Sequence, residues 1–273
     1  MKSSILSNKL KFIGKRRSCA ARCGTNKKQA LRLWAVAAWL LIWHGLSVYI
    51  GHEILLVSPI SVIVRLAQLV QEVYFWKSVL FSFLRIAAGF LLAAVSGVVL
   101  AAFSARFRLM EEFIAPFILF TKATPVASFT ILMLIWISSR NLSVAISYIM
   151  VLPIIYTNVL NGIRRTDIKL LEMAQVFRIP AHRRVIFIYV PQVLPFFESA
   201  CLVGLGLCWK AGIAAEVIGI PAGSIGEALY TAKIYFAVPD LFAWTLTIII
   251  ISIVFERLFM LLLRFFIVRI EGL

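Results

Sequence analysis

Apolar residues along this chain fall in long, nearly unbroken blocks rather than at the spacing of an amphipathic surface helix. A block of about 18 or more apolar residues can cross the hydrocarbon core of a bilayer as a helix. Six such blocks predict six membrane-spanning helices, at about 31–50, 79–103, 114–137, 142–160, 192–218 and 243–268. The pattern therefore predicts an all-α integral membrane protein.

The segments between these blocks divide the chain into four parts. Residues 1–30 form a basic tail, and residues 31–78 hold the first span and an outside segment with a short helix near 62–73. Residues 79–268 form a core with a long loop at 161–190, and residues 269–273 form a short second tail. Prolines in the third block can either kink a spanning helix or break one that lines a passage. The sequence leaves both interpretations open.

Charge placement predicts the orientation of the spans. The chain is 62% hydrophobic with a formal net charge of +16, and its mean hydropathy is +0.97. Lysine and arginine concentrate in the first tail and in the 161–190 loop, whereas the predicted outside segments hold only four, namely Arg65, Lys77, Arg140 and Lys233. By the positive-inside rule, we expect a multi-pass protein of the cell membrane with both termini in the cytoplasm.

The same charge does not indicate nucleic-acid binding, because the basic tail offers a single aromatic residue among its lysines and arginines. We expect the first apolar block to be retained as a span, since no small-residue cleavage site follows it. The four cysteines, Cys19, Cys23, Cys201 and Cys208, have no spacing typical of a metal site or disulfide framework.

Motifs for chemistry are missing from the sequence. It contains no G-x-x-x-x-G-K-[ST] phosphate loop, so we expect no ATP hydrolysis by this chain itself. It predicts no catalytic residues, no metal and no cofactor. Two other classes stay open as alternatives. The first is an integral membrane enzyme, which would need a polar catalytic cluster. The second is a channel or secondary transporter that works alone, which inverted repeats in the sequence would support.

The 161–190 loop carries the most informative pattern. Residues 167–177 have apolar positions at helical spacing, and Pro180 then ends that helix and suits the start of a second one. The second short helix leads to Pro191, where the fifth span begins. Two short helices at an angle on the cytosolic face predict a docking knob. The alternative is an amphipathic loop that lies on the membrane surface.

This loop resembles the signature of ABC importer permeases, which reads Glu-Ala-Ala, three residues, Gly, nine residues, Ile-x-Leu-Pro. Residues 172–174 (Glu-Met-Ala) fill the first element and residues 188–191 (Ile-Tyr-Val-Pro) fill the last, with the spacing kept. Arg178 stands where the family has glycine. Glycine suits a turn with positive φ, so the arginine predicts that the turn shifts toward Ile179-Pro180.

Three further stretches are similar to the nitrate/sulfonate/taurine/bicarbonate group of these permeases, namely 82–89, 122–136 and 208–219. The resemblance implies a type I ABC importer permease fold and a homodimer of six-span subunits. It also implies separate cytosolic ATPase subunits and an extracytoplasmic solute-binding protein. It places ATPase coupling at Glu172, Ala174, Arg178, Ile188 and Pro191, where Glu172 positions the interface and Ala174 allows close approach.

Ionisable residues inside the predicted spans are candidates for function, because they are costly in a bilayer. The candidate translocation path comprises Lys122, Pro125, Lys210 and Glu216. The alternative for these charged groups is pairing between helices, and for Arg85 it is snorkelling to the membrane surface. Two lysines on a passage would favour a small anionic or polar solute, such as a sulfonate, nitrate or a related nutrient.

Overall fold

A computed structural model describes residues 34–51 and 56–271, with side chains up to residue 265. The chain divides into two compact units, Met1–Ile63 and Val64–Leu273. In the first unit, the described helix α1 (Trp34–Ile50) is joined to the following segment by a hydrogen bond of 2.9 Å from the Ser47 hydroxyl to the carbonyl of Leu56. The predicted basic tail lies outside the described residues.

The remaining described chain is helical from end to end. The helices are α2 (Pro59–Leu69), α3 (Val73–Arg106), α4 (Arg108–Ala123), α5 (Val126–Trp136), α6 (Ser139–Arg164), α7 (Ile168–Val176), α8 (Ala181–Arg184), α9 (Val190–Gly219), α10 (Ile225–Ile234) and α11 (Val238–Glu271). A π-helical stretch, Val185–Tyr189, links α8 to α9. This confirms the predicted all-α class.

Within the described residues, four helical segments are long and apolar enough to cross a membrane: α3, α6, α11, and α8 continuing through α9. The predicted third span is a pair of helices, α4 and α5, bent by 113° at Thr124–Pro125. It counts as a fifth span if the pair crosses as one. The predicted first span corresponds to the 17 described residues of α1.

Glycines allow α3, α6 and α9 to pack at close range in the core. A Cβ added at Gly89 of α3 would lie 2.5 Å from the Val144 carbonyl oxygen of α6. A Cβ at Gly212 of α9 would lie 2.7 Å from both Ile86 of α3 and the Ser147 hydroxyl of α6. Small residues of this kind let helix backbones approach closely inside a bilayer, where van der Waals packing drives helix association.

Aromatic rings attach α11 to this core. The Phe255 ring meets Phe83 edge-on at 5.2 Å between centroids, and the Phe259 ring meets Phe90 edge-on at 5.0 Å. Edge-to-face pairs at these distances contribute beyond their buried area. They fix α11 against α3, on the side where Trp209 of α9 also contacts Phe255.

Ion pairs tie the ends of the helices together. Arg65 of α2 pairs with Asp240 of α11, and Arg164 of α6 pairs with Glu111 of α4. The hydrogen bond from the Arg65 guanidinium to Asp240 raises the pKa of Arg65 above its usual value. The Arg65 pair therefore joins two helices that are far apart in sequence at the predicted outer side.

Candidate coupling site and translocation path

The docking knob, defined as residues 167–189, is fixed at its start by side-chain hydrogen bonds. Asp167 caps α7, because its carboxylate accepts a hydrogen bond of 2.9 Å from the Lys169 amide. The Asp167 amide in turn donates to the Gln192 side-chain oxygen at 2.9 Å. Since Gln192 lies in the first turn of α9, the knob is held against the base of that helix.

The turn after α7 is a Schellman motif centred on Arg178. The Ile179 amide donates to the Ala174 carbonyl at 2.9 Å, and the Arg178 amide donates to the Gln175 carbonyl at 3.1 Å. Arg178 has φ of +49°, the left-handed conformation that usually selects glycine at this position. The turn therefore stays at Arg178, and the predicted shift toward Ile179-Pro180 is wrong. The two bonds satisfy terminal carbonyls of α7 and offset the steric cost of the side chain.

The second half of the knob differs from the predicted separate helix. After Pro180, α8 passes through the π-helical stretch directly into α9, so that residues 181–219 run as one continuous apolar helical segment. Pro191 lies in the first turn of α9 and does not interrupt the helical segment. It follows the π-helical stretch, where the Val190 amide bonds to the Val185 carbonyl five residues back and the regular helical hydrogen-bond pattern is interrupted. The knob is thus a short helix, a tight turn and the rigid extension of a spanning helix.

The five predicted coupling residues occupy different environments. Glu172 and Arg178 are exposed, whereas Ala174 and Ile188 are buried and Pro191 is half-buried. Ala174 is fully covered inside the subunit, which corrects the expectation that its small side chain itself lets a partner approach. Its size instead serves the packing beneath the turn.

Exposed apolar side chains surround Glu172. Ile168 is 69% exposed, Val176 is 78% exposed and Phe177 is 73% exposed. Residues four apart share a face of a helix, so Ile168, Glu172 and Val176 form one row along α7. Sequence reasoning placed Glu172 at an interface but did not identify this row. The sequence signal for this row was the four-residue spacing of the apolar residues Ile168 and Val176 on either side of Glu172.

The candidate path residues Lys122 and Pro125 lie at the break between α4 and α5. Pro125 is the N-cap residue of α5, and Lys122 lies in the last turn of α4. The lysine lines a groove of about 320 Å³ together with Glu111, Asn161 and Arg164, among other residues of α4 and α6. The third predicted span is therefore broken at Pro125 rather than merely kinked, and a cation lies at the break.

Lys210 lies on an exposed face of α9. It precedes the helix end at Gly219 by nine residues, a rise of about 14 Å, which is near the middle of a hydrocarbon core of about 30 Å. Gly206, one turn earlier, faces open space, because a Cβ added there would meet nothing within 4 Å. Within the described part of the chain, neither Lys210 nor Lys122 forms an ion pair.

Glu216 is separated from the other path candidates by burial, with 0% of its surface exposed. Its Oε2 accepts a hydrogen bond of 2.6 Å from the Ser82 hydroxyl of α3 and a longer one of 3.4 Å from the Gly226 amide of α10. Ser82 lies at the start of a stretch similar to the permease group, but its contact with Glu216 was not predicted from the sequence, and Gly226 was not singled out. The sequence signal that could have indicated this contact was a polar residue, Ser82, within the apolar block of α3.

Residues 93–272 match the family described as the binding-protein-dependent transport system inner membrane component. The chain belongs to this family. The description agrees with the spanning helices and with the signature spacing in the knob. The broken third span and the helical knob thus belong to an ABC transporter permease of the type I fold.

Curated relatives are transport permeases of the group that the sequence resembles. The chain is 28% identical over 229 residues to SsuC of Bacillus subtilis, a permease protein for aliphatic sulfonates, covering 81% of this chain and 79% of that protein. It is 23% identical over 205 residues to the nitrate import permease protein NrtB of Synechococcus elongatus, covering 71% and 73%. The bicarbonate transport system permease protein CmpB of the same organism is 23% identical over 184 residues, covering 67% and 66%.

Proposed function

We propose that this chain is the permease subunit of an ATP-driven importer, which forms the translocation path and takes its energy from a separate cytosolic ATPase. The observation that carries the proposal is the rigid knob with its exposed row of Ile168, Glu172 and Val176. Exposed apolar groups that surround one charge are typical of a surface that a partner covers. Glu172 favours a protein partner over anionic lipid, which would repel a carboxylate.

The knob is connected to the spanning helix α9 in two ways. Its start is hydrogen-bonded to Gln192, and its second half continues without interruption into α9. Movement of an ATPase bound at α7 would therefore reach the spanning helix as a rigid-body displacement, which is a common form of switching transition. In this proposal Glu172 pairs with a basic group of the ATPase, and Arg178 sets the angle between the two arms of the knob.

The solute is a small anion, such as a sulfonate, nitrate or a related nutrient, delivered by an extracytoplasmic binding protein. Lys210 supports this, because a lysine near mid-membrane costs several kcal/mol if it faces lipid. A water-lined passage between this subunit and a second copy would remove that cost. Each copy would then contribute Lys210 and Lys122, and four positive charges would attract an anion.

The test is charge reversal at the knob in the reconstituted transporter with its ATPase and binding protein. We expect Glu172→Lys to abolish co-purification of the ATPase and solute-stimulated ATP hydrolysis, whereas Glu172→Gln has a smaller effect. Glu112→Lys is the matched control, because Glu112 is exposed on α4 and, among the described residues, forms an ion pair with Arg108 one turn away. Unchanged ATPase binding and transport in Glu172→Lys would refute the coupling role, and would favour a transporter or channel that works alone.

A further inference from the structure

One carboxylate and one hydroxyl join three helices at the predicted outer end of the subunit. Glu216 of α9 accepts from Ser82 of α3, and the same Ser82 oxygen accepts a hydrogen bond of 3.0 Å from the Ile225 amide of α10. Gly226 completes the cluster from α10. These bonds connect the first turn of α10 to both α3 and α9 inside the core.

The first turn of α10 lies directly on the last turn of α9. A Cβ added at Gly226 would be 2.3 Å from the Glu216 Cβ and 2.4 Å from its carbonyl carbon. A second acid supports the same turn, because Glu227 accepts from the Gly223 amide at 2.6 Å and from the Tyr74 hydroxyl of α3 at 3.4 Å. The contact therefore combines the fully buried Ile225 side chain with hydrogen bonds to two carboxylates.

Strained residues flank α10 on both sides. Ile220 has φ of +46° and Phe236 has φ of +53°, a conformation that is unfavourable for side chains with a Cβ and rare for a β-branched residue. Inside the cluster, the Ser143 hydroxyl of α6 also lies within hydrogen-bonding reach of the Glu216 carboxylate. Backbone strain on both sides of α10 persists only where the surrounding contacts hold it in place.

We propose that Glu216 and Ser82 form a latch that holds the turn between α9 and α10 closed against α3, and that this turn is the movable part of the outer gate. Glu216 is thus a positioning residue rather than a wall of the passage. The inference rests on the proposed function, since a gate presupposes a passage. Loss of the hydrogen bonds at Glu216 and Ser82 would loosen the first turn of α10, while the glycine-packed core of α3, α6 and α9 stays intact.

The latch is tested by thiol accessibility in the purified full-length chain, without its partners. The reporter is Ala228→Cys, on the buried side of α10, in a background where Cys19 and Cys23 are serine. Native Cys201 and Cys208 remain as internal controls, because both are fully buried in the core. The reporter is combined with Glu216→Ala, Glu216→Gln, Ser82→Ala or the control Ser96→Ala, whose hydroxyl bonds only to carbonyls of its own helix.

We expect Glu216→Ala and Ser82→Ala to speed labelling at position 228 by about tenfold, as loss of a buried hydrogen bond predicts. Glu216→Gln should stay near the parent rate, since its amide oxygen can accept the same bonds, and Ser96→Ala should not differ. Cys201 and Cys208 should remain unlabelled throughout. Equal labelling at 228 in all variants would overturn the latch, as would parallel labelling of the core cysteines, which reports general unfolding. Either failure leaves the Glu172 result and the proposed function untouched.

Discussion

Replacing Arg178 by glycine should tighten the turn of the knob. A side chain with a Cβ costs about 1–2 kcal/mol in the left-handed conformation, and Arg178 adopts that conformation with φ of +49°. Glycine removes this cost but loses more backbone freedom on folding, by about 0.5–1 kcal/mol. The comparison with alanine isolates the steric cost, because alanine also removes the guanidinium yet keeps the Cβ. We expect Arg178→Gly to stabilise the turn by about 1 kcal/mol relative to Arg178→Ala.

The assay is hydrogen exchange at the Ile179 amide, whose bond to the Ala174 carbonyl closes the turn at 2.9 Å. Exchange requires local opening of that bond, and about 1 kcal/mol corresponds to roughly fivefold slower exchange in the glycine variant. The Lys169 amide, bonded to Asp167 at the other end of α7, serves as the control and should not change. Equal exchange at Ile179 in the glycine and alanine variants would refute the argument that the turn is strained at this residue.

Two further predictions concern α9. Gly212→Ala should destabilise the subunit by about 1–3 kcal/mol, because the new Cβ meets Ile86 and Ser147 at 2.7 Å. Gly206→Ala places its Cβ in open space, so the free energy of unfolding should change by no more than about 0.5 kcal/mol. Thermal unfolding of the two variants in detergent checks this, and similar losses would contradict the packing. Lys210→Met should reduce anion uptake while binding-protein affinity is retained, and Lys210→Arg should preserve it. Unimpaired uptake by Lys210→Met would exclude a role of this charge in the passage.

The apolar blocks alone determined the all-α class and the approximate positions of four of the six predicted spans, which correspond to long apolar helices among the described residues. Every backbone polar group must form a hydrogen bond within the bilayer. An apolar block of sufficient length therefore forms a helix, which satisfies these groups within one segment. The helical spacing of residues 167–177 and Pro180 likewise predicted a helix followed by a turn, which α7 and the turn at Arg178 confirm. These features depend on local composition and order, which a sequence contains in full.

Single-residue preferences did not predict the turn at Arg178 or the continuity of α8 with α9. Local propensity predicted that arginine would avoid positive φ and that Pro191 would mark a boundary. The Schellman hydrogen bonds to Ala174 and Gln175, which join residues close in the chain, outweigh the first preference. The π-helical stretch Val185–Tyr189 leads into α9 without a break at Pro191. Similarly, Pro125 could kink or break the third span, and only the packing of α4 against α6 and of α5 against α9 selects the 113° bend.

The roles of the intramembrane charges show the same division. The sequence identified Lys122, Lys210 and Glu216 as unusual, because an ionisable group in an apolar block is visible from composition. It could not determine which face each group occupies, since that depends on how the helices pack. The structure leaves Lys210 exposed and encloses Glu216 against Ser82 and Gly226. Residues 134 and 10 positions apart in the chain meet there, and only the folded bundle brings them together.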